Sequence, residues 1–463
     1  MDIDRKLFLE ENIGVLLFKF TTPAALGMLS IAFASLIDTI FIGKFVGTLA
    51  LAALALSLPV FMLFSALAAT IGIGGSAVWS VDVGAAQYDR ADRVFGNVIM
   101  MNLLIGFIMF IAGIFFIHPV LSFLATPADV YPFAEGYLRI FFAGSLFIIF
   151  VIGMNNFVRA EGNPGIAMMI IVIAVILNIV LDYLFIIIFE WGIEGAALAA
   201  LLAYSIAFIV MIYHFTLGKS KIKLKRKMFI LDFSIIKEII KIGTASFLRQ
   251  ISIGIMHFLI NSSVVWYSGV LAGTYLAIAG ISMKCIMFIL MPVIGVIQGM
   301  QPIIGFNYGA RDYIRAKKTI VLAIATAACI ASSIWIIIMI FPTEVLSLFS
   351  NDKGLIARGE NIVRLIILVL PLVAAQTTGA GLFQVLKKPR PANFFAILRQ
   401  VILLVPLILL LPRFFNLDGV WYAVPLADFI AFLITAIWVI REINLLDKLK
   451  DNPEESSEIS NLS

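Results

Sequence analysis

Residues 165–189 read GIAMMIIVIAVILNIVLDYLFIIIF, an almost unbroken apolar run whose only charged side chain is Asp182 and whose only amide is Asn178. A helix needs about 20 consecutive apolar residues to cross a bilayer. A helix on the surface of a soluble domain would show a polar stripe, which this run lacks. It reads as a membrane span. Working outward, apolar runs bounded by charges, glycines or prolines recur near 20–43, 50–80, 95–117, 133–158 and 193–216. Six more follow near 241–265, 272–304, 319–342, 362–386, 393–412 and 419–440. The expected fold class is an all-α polytopic membrane protein with twelve transmembrane helices in two pseudo-two-fold-related six-helix lobes.

Composition agrees. Of 463 residues, 62% are hydrophobic and 13% charged, against roughly 45–50% and about 25% in soluble domains. The net charge of +5 does not point to nucleic acid, because the bases lie in short connectors between apolar runs. Cys285, Cys329, His118, His214 and His257 are scattered without metal-ligand spacing, so no metal, disulfide or cofactor is expected. Residues Met1 to Asn12 mix acids and bases without a short apolar core, which does not describe a cleavable signal.

The bases also set orientation. Of the Lys and Arg residues outside the runs, only Lys44, Lys353, Arg358 and Arg413 fall in the odd-numbered connectors. The rest fall at the N-terminus, in the even-numbered connectors or in the C-terminal stretch. By the positive-inside rule both termini are cytoplasmic, and the expected location is the plasma (inner) membrane. The cluster Lys219, Lys221, Lys223, Lys225, Arg226 and Lys227 marks a cytoplasmic linker. The expected organisation is an N-terminal lobe over 1–218, a basic linker over 219–240, a C-terminal lobe over 241–450 and a disordered tail over 451–463.

An internal repeat supports the two lobes. Gly74, Gly84-Ala85 and Arg90-Ala91 are matched at one constant offset by Gly299, Gly309-Ala310 and Arg315-Ala316, and Pro164 by Pro389. Near each lobe's end, Gly195, Ala199, Ala203, Ala207 and Phe208 correspond to Gly419, Ala423, Ala427, Ala431 and Phe432. Six spans separate the copies, so both start from the same side and the repeats are parallel. Transporters are one class built this way.

Ionisable residues deep in a span are costly, at least ~2.5–3.5 kcal/mol each on insertion scales, and are therefore candidates for function. Among the acids they are Asp38, Asp182 and Asp428. Asp38 and Asp182 both lie roughly 10 Å inside the outer boundary at 1.5 Å per residue. Asn178 is one turn below Asp182 on the same face. Two buried carboxylates repel when both are charged, so the group suits a proton or a cation. In the second half Leu403 and Leu407 occupy the positions of Asn178 and Asp182. There Lys284 and Asp428 lie at similar depth and form the expected polar pair, while Arg249 and Arg399 are near enough to the cytoplasmic side to snorkel.

Several stretches resemble the multidrug and toxic compound extrusion (MATE) transporters, particularly their MepA-like branch. They are Gln298-Gly-Met-Gln-Pro-Ile-Ile-Gly-Phe-Asn-Tyr-Gly-Ala310, Arg159-Ala-Glu-Gly-Asn-Pro164, Ile37-Asp-Thr-Ile-Phe-Ile-Gly43 and Asn178-x-x-x-Asp182. The resemblance covers essentially the whole chain. It implies a secondary active exporter of small organic cations, driven by antiport of H+ or Na+ and alternating access between two lobes, working in the lipid bilayer as a monomer. It places ion coupling at Asp38, Asn178 and Asp182, which would also be the Na+ ligands. Ala200 stands where the family has a threonine, which removes one oxygen ligand from a Na+ site. The alternatives are a lipid-linked sugar flippase of the same superfamily and, more remotely, an intramembrane enzyme. The enzyme would need a nucleophile–base pair or metal cluster at matched depth that the sequence does not supply.

Overall fold

The computed structural model describes residues 5–124, 126–218, 220–222, 226–350 and 352–451. Lys219, Lys223 and Lys225 of the basic linker, and the tail beyond Asp451, lie outside the described residues. Within them the chain is helical throughout, and its long helices are apolar enough to span a bilayer. The first half holds α1 (Ile13–Val46), α2 (Thr48–Gly84), α3 (Tyr88–Phe123), α4 (131–160), α5 (Pro164–Ile188) and α6 (Gly192–Thr216). The second holds α7 (Phe233–Ser268), α8 (Ala272–Gly309), α9 (Tyr313–Ile340), α10 (Lys353–Val385), α11 (389–415) and α12 (417–449). The last two run on from one another, separated by the non-helical backbone of Asn416 at φ 50° and ψ −134°. The described residues thus contain the twelve expected spans, and the protein is an integral membrane protein.

The two halves share one set of backbone devices. Helix α4 is bent by 57° between Tyr131–Ala143 and Ser145–Ala160, and α10 breaks at the equivalent place, between Ile367 and Leu370. Left-handed residues come in repeat pairs: Ala86 (φ 60°) with Arg311 (φ 61°), and Gly162 (φ 99°) with Lys387 (φ 56°). Each closes the preceding helix by turning the chain back on its last carbonyls. The next amide donates to the carbonyl five residues earlier, from Gln87 to Asp82 at 2.8 Å and from Asp312 to Asn307 at 2.9 Å. Asn163 to Val158 at 3.2 Å and Lys388 to Phe383 at 2.9 Å complete the set. Pro164 and Pro389 then open α5 and α11 at the first helical position, where a missing N–H costs nothing.

The described residues form two compact units, one of those up to 10 and in 26–247, the other of those in 11–25 and from 248 on. The division therefore falls inside two helices: the start of α1 packs in the second unit, and the start of α7 in the first. The repeated glycines and arginines explain how. In the first unit Gly74 lets α7 approach so closely that a Cβ there would stand 2.3 Å from Ile239 O. In the second, Gly299 does the same for α1, with Thr21 N at 2.8 Å. Arg90 then bridges Asp82, at 2.6 Å, and Glu238 of α7. Its counterpart Arg315 joins Asn307 at 3.1 Å and the carbonyl of Glu11 at 2.6 Å. One glycine seats a borrowed helix start and one arginine pins its end, once in each unit.

Lys221, from the basic linker, is held on the first unit. Glu161, fully buried at the end of α4, pairs with His214 at the end of α6. Its carboxylate also accepts from Asn163 Nδ2 at 2.9 Å, Ser220 Oγ at 2.6 Å and the backbone amide of Lys221 at 3.3 Å.

Candidate functional site

Helix α1 places Asp38 near its C-terminal end, one turn before its α-helical hydrogen bonding gives way to a π-helical stretch at Ile42–Val46. Asp182 closes the α-helical part of α5 and leads directly into a second π-helical stretch, Tyr183–Ile188. These stretches touch each other and α6. Such local unwinding re-aims side chains and is frequent at functional sites. Here it accompanies the meeting of two carboxylates, since Asp38 and Asp182 lie within hydrogen-bonding reach of each other.

Their surroundings are apolar. Asp182 is 1% exposed. Ile42, Ile186, Ile193 and Ala196 belong to one buried cluster with Phe64, Leu138 and Phe141. No donor from the described residues reaches Asp38 Oδ1 or either Asp182 oxygen. A buried carboxylate without donors, Asp182, beside a half-buried one, Asp38, cannot keep both charges cheaply, because removing an ion from water costs several kcal/mol unless a counter-charge meets it. A proton shared between them, or a cation beside them, resolves that cost.

Asn178 stays half-buried one turn below and donates to neither Asp182 oxygen. Two phenols absent from the sequence reading do approach the pair: Tyr137 of α4 lies within electrostatic reach of both carboxylates, and Tyr204 of α6 of Asp38. Tyr204 carried a signal in the sequence, since it occupies in the first repeat the position that Asp428 occupies in the second. A cavity of about 260 Å³ lies elsewhere in this unit, lined by Phe110, Ile114, His118 and Arg139 of α3 and α4, and the acid pair is not part of its wall.

The second unit builds a different polar centre. The expected pair between Lys284 and Asp428 gives way to Arg399–Asp428, with Arg399 Nη1 at 3.1 Å from Asp428 Oδ1 and both side chains largely buried. Equal depth fixed one coordinate only; the partner was set by which helix faces α12. Arg399 therefore does not snorkel. It lies in a third π-helical stretch, Leu398–Leu403, which turns it toward Asp428. Nor does Arg249, whose Nη2 donates to Gln384 Oε1 of α10 at 3.1 Å. Leu403 and Leu407, the counterparts of Asn178 and Asp182, pack against an apolar cluster with Met256, Trp421 and Val424.

Comparison with known proteins gives a consistent picture. The sequence model of the MatE family matches the chain twice, over residues 23–184 and 246–410. The multidrug export protein MepA of Staphylococcus saprophyticus is 25% identical over 449 residues, covering 96% of this chain and 98% of that relative. MepA of Staphylococcus aureus strain MRSA252 is 24% identical over 438 residues, covering 94% and 96%. Among solved structures, a transporter of the MOP superfamily from Pyrococcus furiosus, reported to have a binding pocket of reverse polarity, is similar with a TM-score of 0.90. It is 25% identical, over 96% of this chain and 98% of that one. An outward-facing multidrug resistance MATE family transporter matches with a TM-score of 0.88 and 25% identity, over 95% and 98%.

Proposed function

The chain belongs to the MatE family of transporters, and from that premise we propose that it exports cationic amphipathic compounds across the plasma membrane by antiport, with Asp38 and Asp182 as the coupling carboxylates. The observation that carries the reading is the meeting of these two acids in an apolar setting, with no donor from the described residues on Asp38 Oδ1 or on either Asp182 oxygen. Such a pair changes its charge when one ion arrives or leaves, which is the minimum that coupling requires. Tyr137 and Tyr204 stand close enough to sense that change. Proton loading removes the repulsion between the acids and lets their helices close; deprotonation restores a negative site. Alternating access of the two lobes then links the ion step to release of the compound, with both termini cytoplasmic and a single chain as the working unit.

Between the two coupling ions the reading favours H+. A Na+ ion takes several oxygen ligands, while position 200 of α6 is alanine and Asn178 does not engage Asp182.

The test is efflux of a fluorescent cationic dye from proteoliposomes, driven in turn by a pH gradient and by a Na+ gradient. The pH gradient alone should drive transport. An Asp38→Asn, Asp182→Asn double variant should still bind dye but lose at least ten-fold of the gradient-driven rate. Full gradient-driven transport by that variant would remove the acids from the mechanism.

A further inference from the structure

The second unit holds more positive than negative charge at membrane depth, and among the described residues one of its guanidinium groups meets no acid. Arg249 lies in Phe233–Ser268, eight residues into the apolar run that begins near 241, or about 12 Å along the helix at 1.5 Å per residue. Among the described residues its hydrogen bond goes to the neutral amide of Gln384, at 3.1 Å. The charged group it senses is another guanidinium, Arg399, whose own partner is Asp428 at 3.1 Å. Gln384 is almost fully buried and so holds its carbonyl in a fixed place. One N–H of Arg249 is thus used to orient the group, and the remainder of a planar five-donor fork is left for something else. The side chain is only partly covered by the rest of the chain. Lys284 adds a third base to the unit, with no ion pair to Asp428.

A guanidinium keeps its proton even when buried, so it cannot escape its cost by becoming neutral. It requires an anion. Carboxylate and phosphate match the fork in shape and take two parallel N–H donors. We propose that Arg249, oriented by Gln384 and backed by Arg399, is an oxyanion site that takes the carboxylate or phosphate group of an amphipathic ligand. Among cationic amphipathic compounds, the chain then favours those that also carry an acidic group, zwitterions included. The inference leans on the export reading only in supposing that the ligand is cargo; the site itself is a matter of binding.

Equilibrium binding to the purified full-length protein, read by fluorescence anisotropy without any gradient, keeps the two apart. The probes are rhodamine B, which has a free carboxylate, and its ethyl ester. Wild type should bind the free acid about ten-fold or more tightly than the ester, the scale of one charged hydrogen bond. Arg249→Gln should abolish that preference by weakening the acid while leaving the ester within about two-fold. Arg249→Lys, which keeps the charge but loses the fork, should retain part of it, and guards against a Gln variant that fails to fold. The same titration in nanodiscs of phosphatidylcholine, with and without phosphatidylglycerol, identifies the source of the anion. Competition by the anionic lipid in wild type but not in Arg249→Gln assigns the site to a headgroup phosphate; no competition assigns it to the soluble amphipath. Equal binding of acid and ester by wild type, or a preference that survives in Arg249→Gln, overturns the proposal.

Discussion

Replacing Gly74 by alanine tests the seating of α7 directly. The added Cβ would stand 2.3 Å from Ile239 O and 3.0 Å from Gly243 N. Both are backbone atoms of a helix, so no side chain can rotate away. Reaching ordinary contact, ~3.5 Å, demands that α7 withdraw by about 1 Å. A gap of that size forfeits a quarter to a half of each neighbouring contact, and overpacking of this kind typically costs about 1–3 kcal/mol. Gly280 supplies the control, since a Cβ there meets nothing within 4 Å and alanine is the better helix former by about 1 kcal/mol. Thermal unfolding of the detergent-purified protein should show Gly74→Ala melting several degrees below wild type, with Gly280→Ala at or above it. Gly299→Ala should repeat the loss in the second unit, where the obstructing atoms are the Thr21 side chain and backbone. A Gly74→Ala variant that melts with wild type, or a Gly280→Ala variant that falls as far, would refute the close-packing account.

Two further outcomes follow from single buried acids. Asp428→Asn leaves Arg399 buried without its counter-charge and should cost about 3–5 kcal/mol; a double Arg399→Met, Asp428→Leu variant should recover most of the lost melting temperature, and failure to recover would mean that the pair does more than neutralise itself. Glu161→Gln weakens a carboxylate that accepts from Asn163, Ser220 and Lys221 as well as pairing with His214. At about 1.5–3 kcal/mol per charged hydrogen bond, losing one raises the undocked fraction of the linker roughly ten-fold or more, so trypsin should cut beside Lys221 correspondingly faster; an unchanged rate counts against docking.

The spans were legible in the sequence because apolar length is a local property. All twelve runs became helices in the expected order, and the error was in their ends. Helix α3 starts at Tyr88 rather than near residue 95, and α7 at Phe233 rather than near 241. Hydropathy stops at the first charge, whereas these helices continue into charged turns where Arg90 and Glu238 meet. The repeat was visible as matched glycines and arginines, yet their task was not. Gly74 answers to Ile239 and Arg315 to Glu11, contacts between distant residues that no local pattern records. Depth along a helix could be counted, which put Asp38 and Asp182 at one level. Rotation about the helix could not, which is why Lys284 was given a partner that belongs to Arg399.

The shared and unshared parts of the repeat have different physical causes. Left-handed turns, helix breaks, glycine seats and pinning arginines recur because backbone groups must be satisfied and helices must pack in both units alike. A residue outside this set is free to diverge, and a buried charge does so against a cost of at least ~2.5–3.5 kcal/mol. Leucine at positions 403 and 407 carries no such cost and packs against an apolar cluster. The charges at Asp38 and Asp182, and at Arg249, Arg399 and Asp428, are therefore the part of the molecule that packing does not explain. At the repeat position shared by Tyr204 and Asp428, one unit sets a phenol beside an acid pair and the other an acid beside an arginine. The same scaffold site serves opposite local charges. Chemistry that distinguishes this transporter should follow that difference in polarity between the units, and the search for its ligands should include molecules that carry both signs.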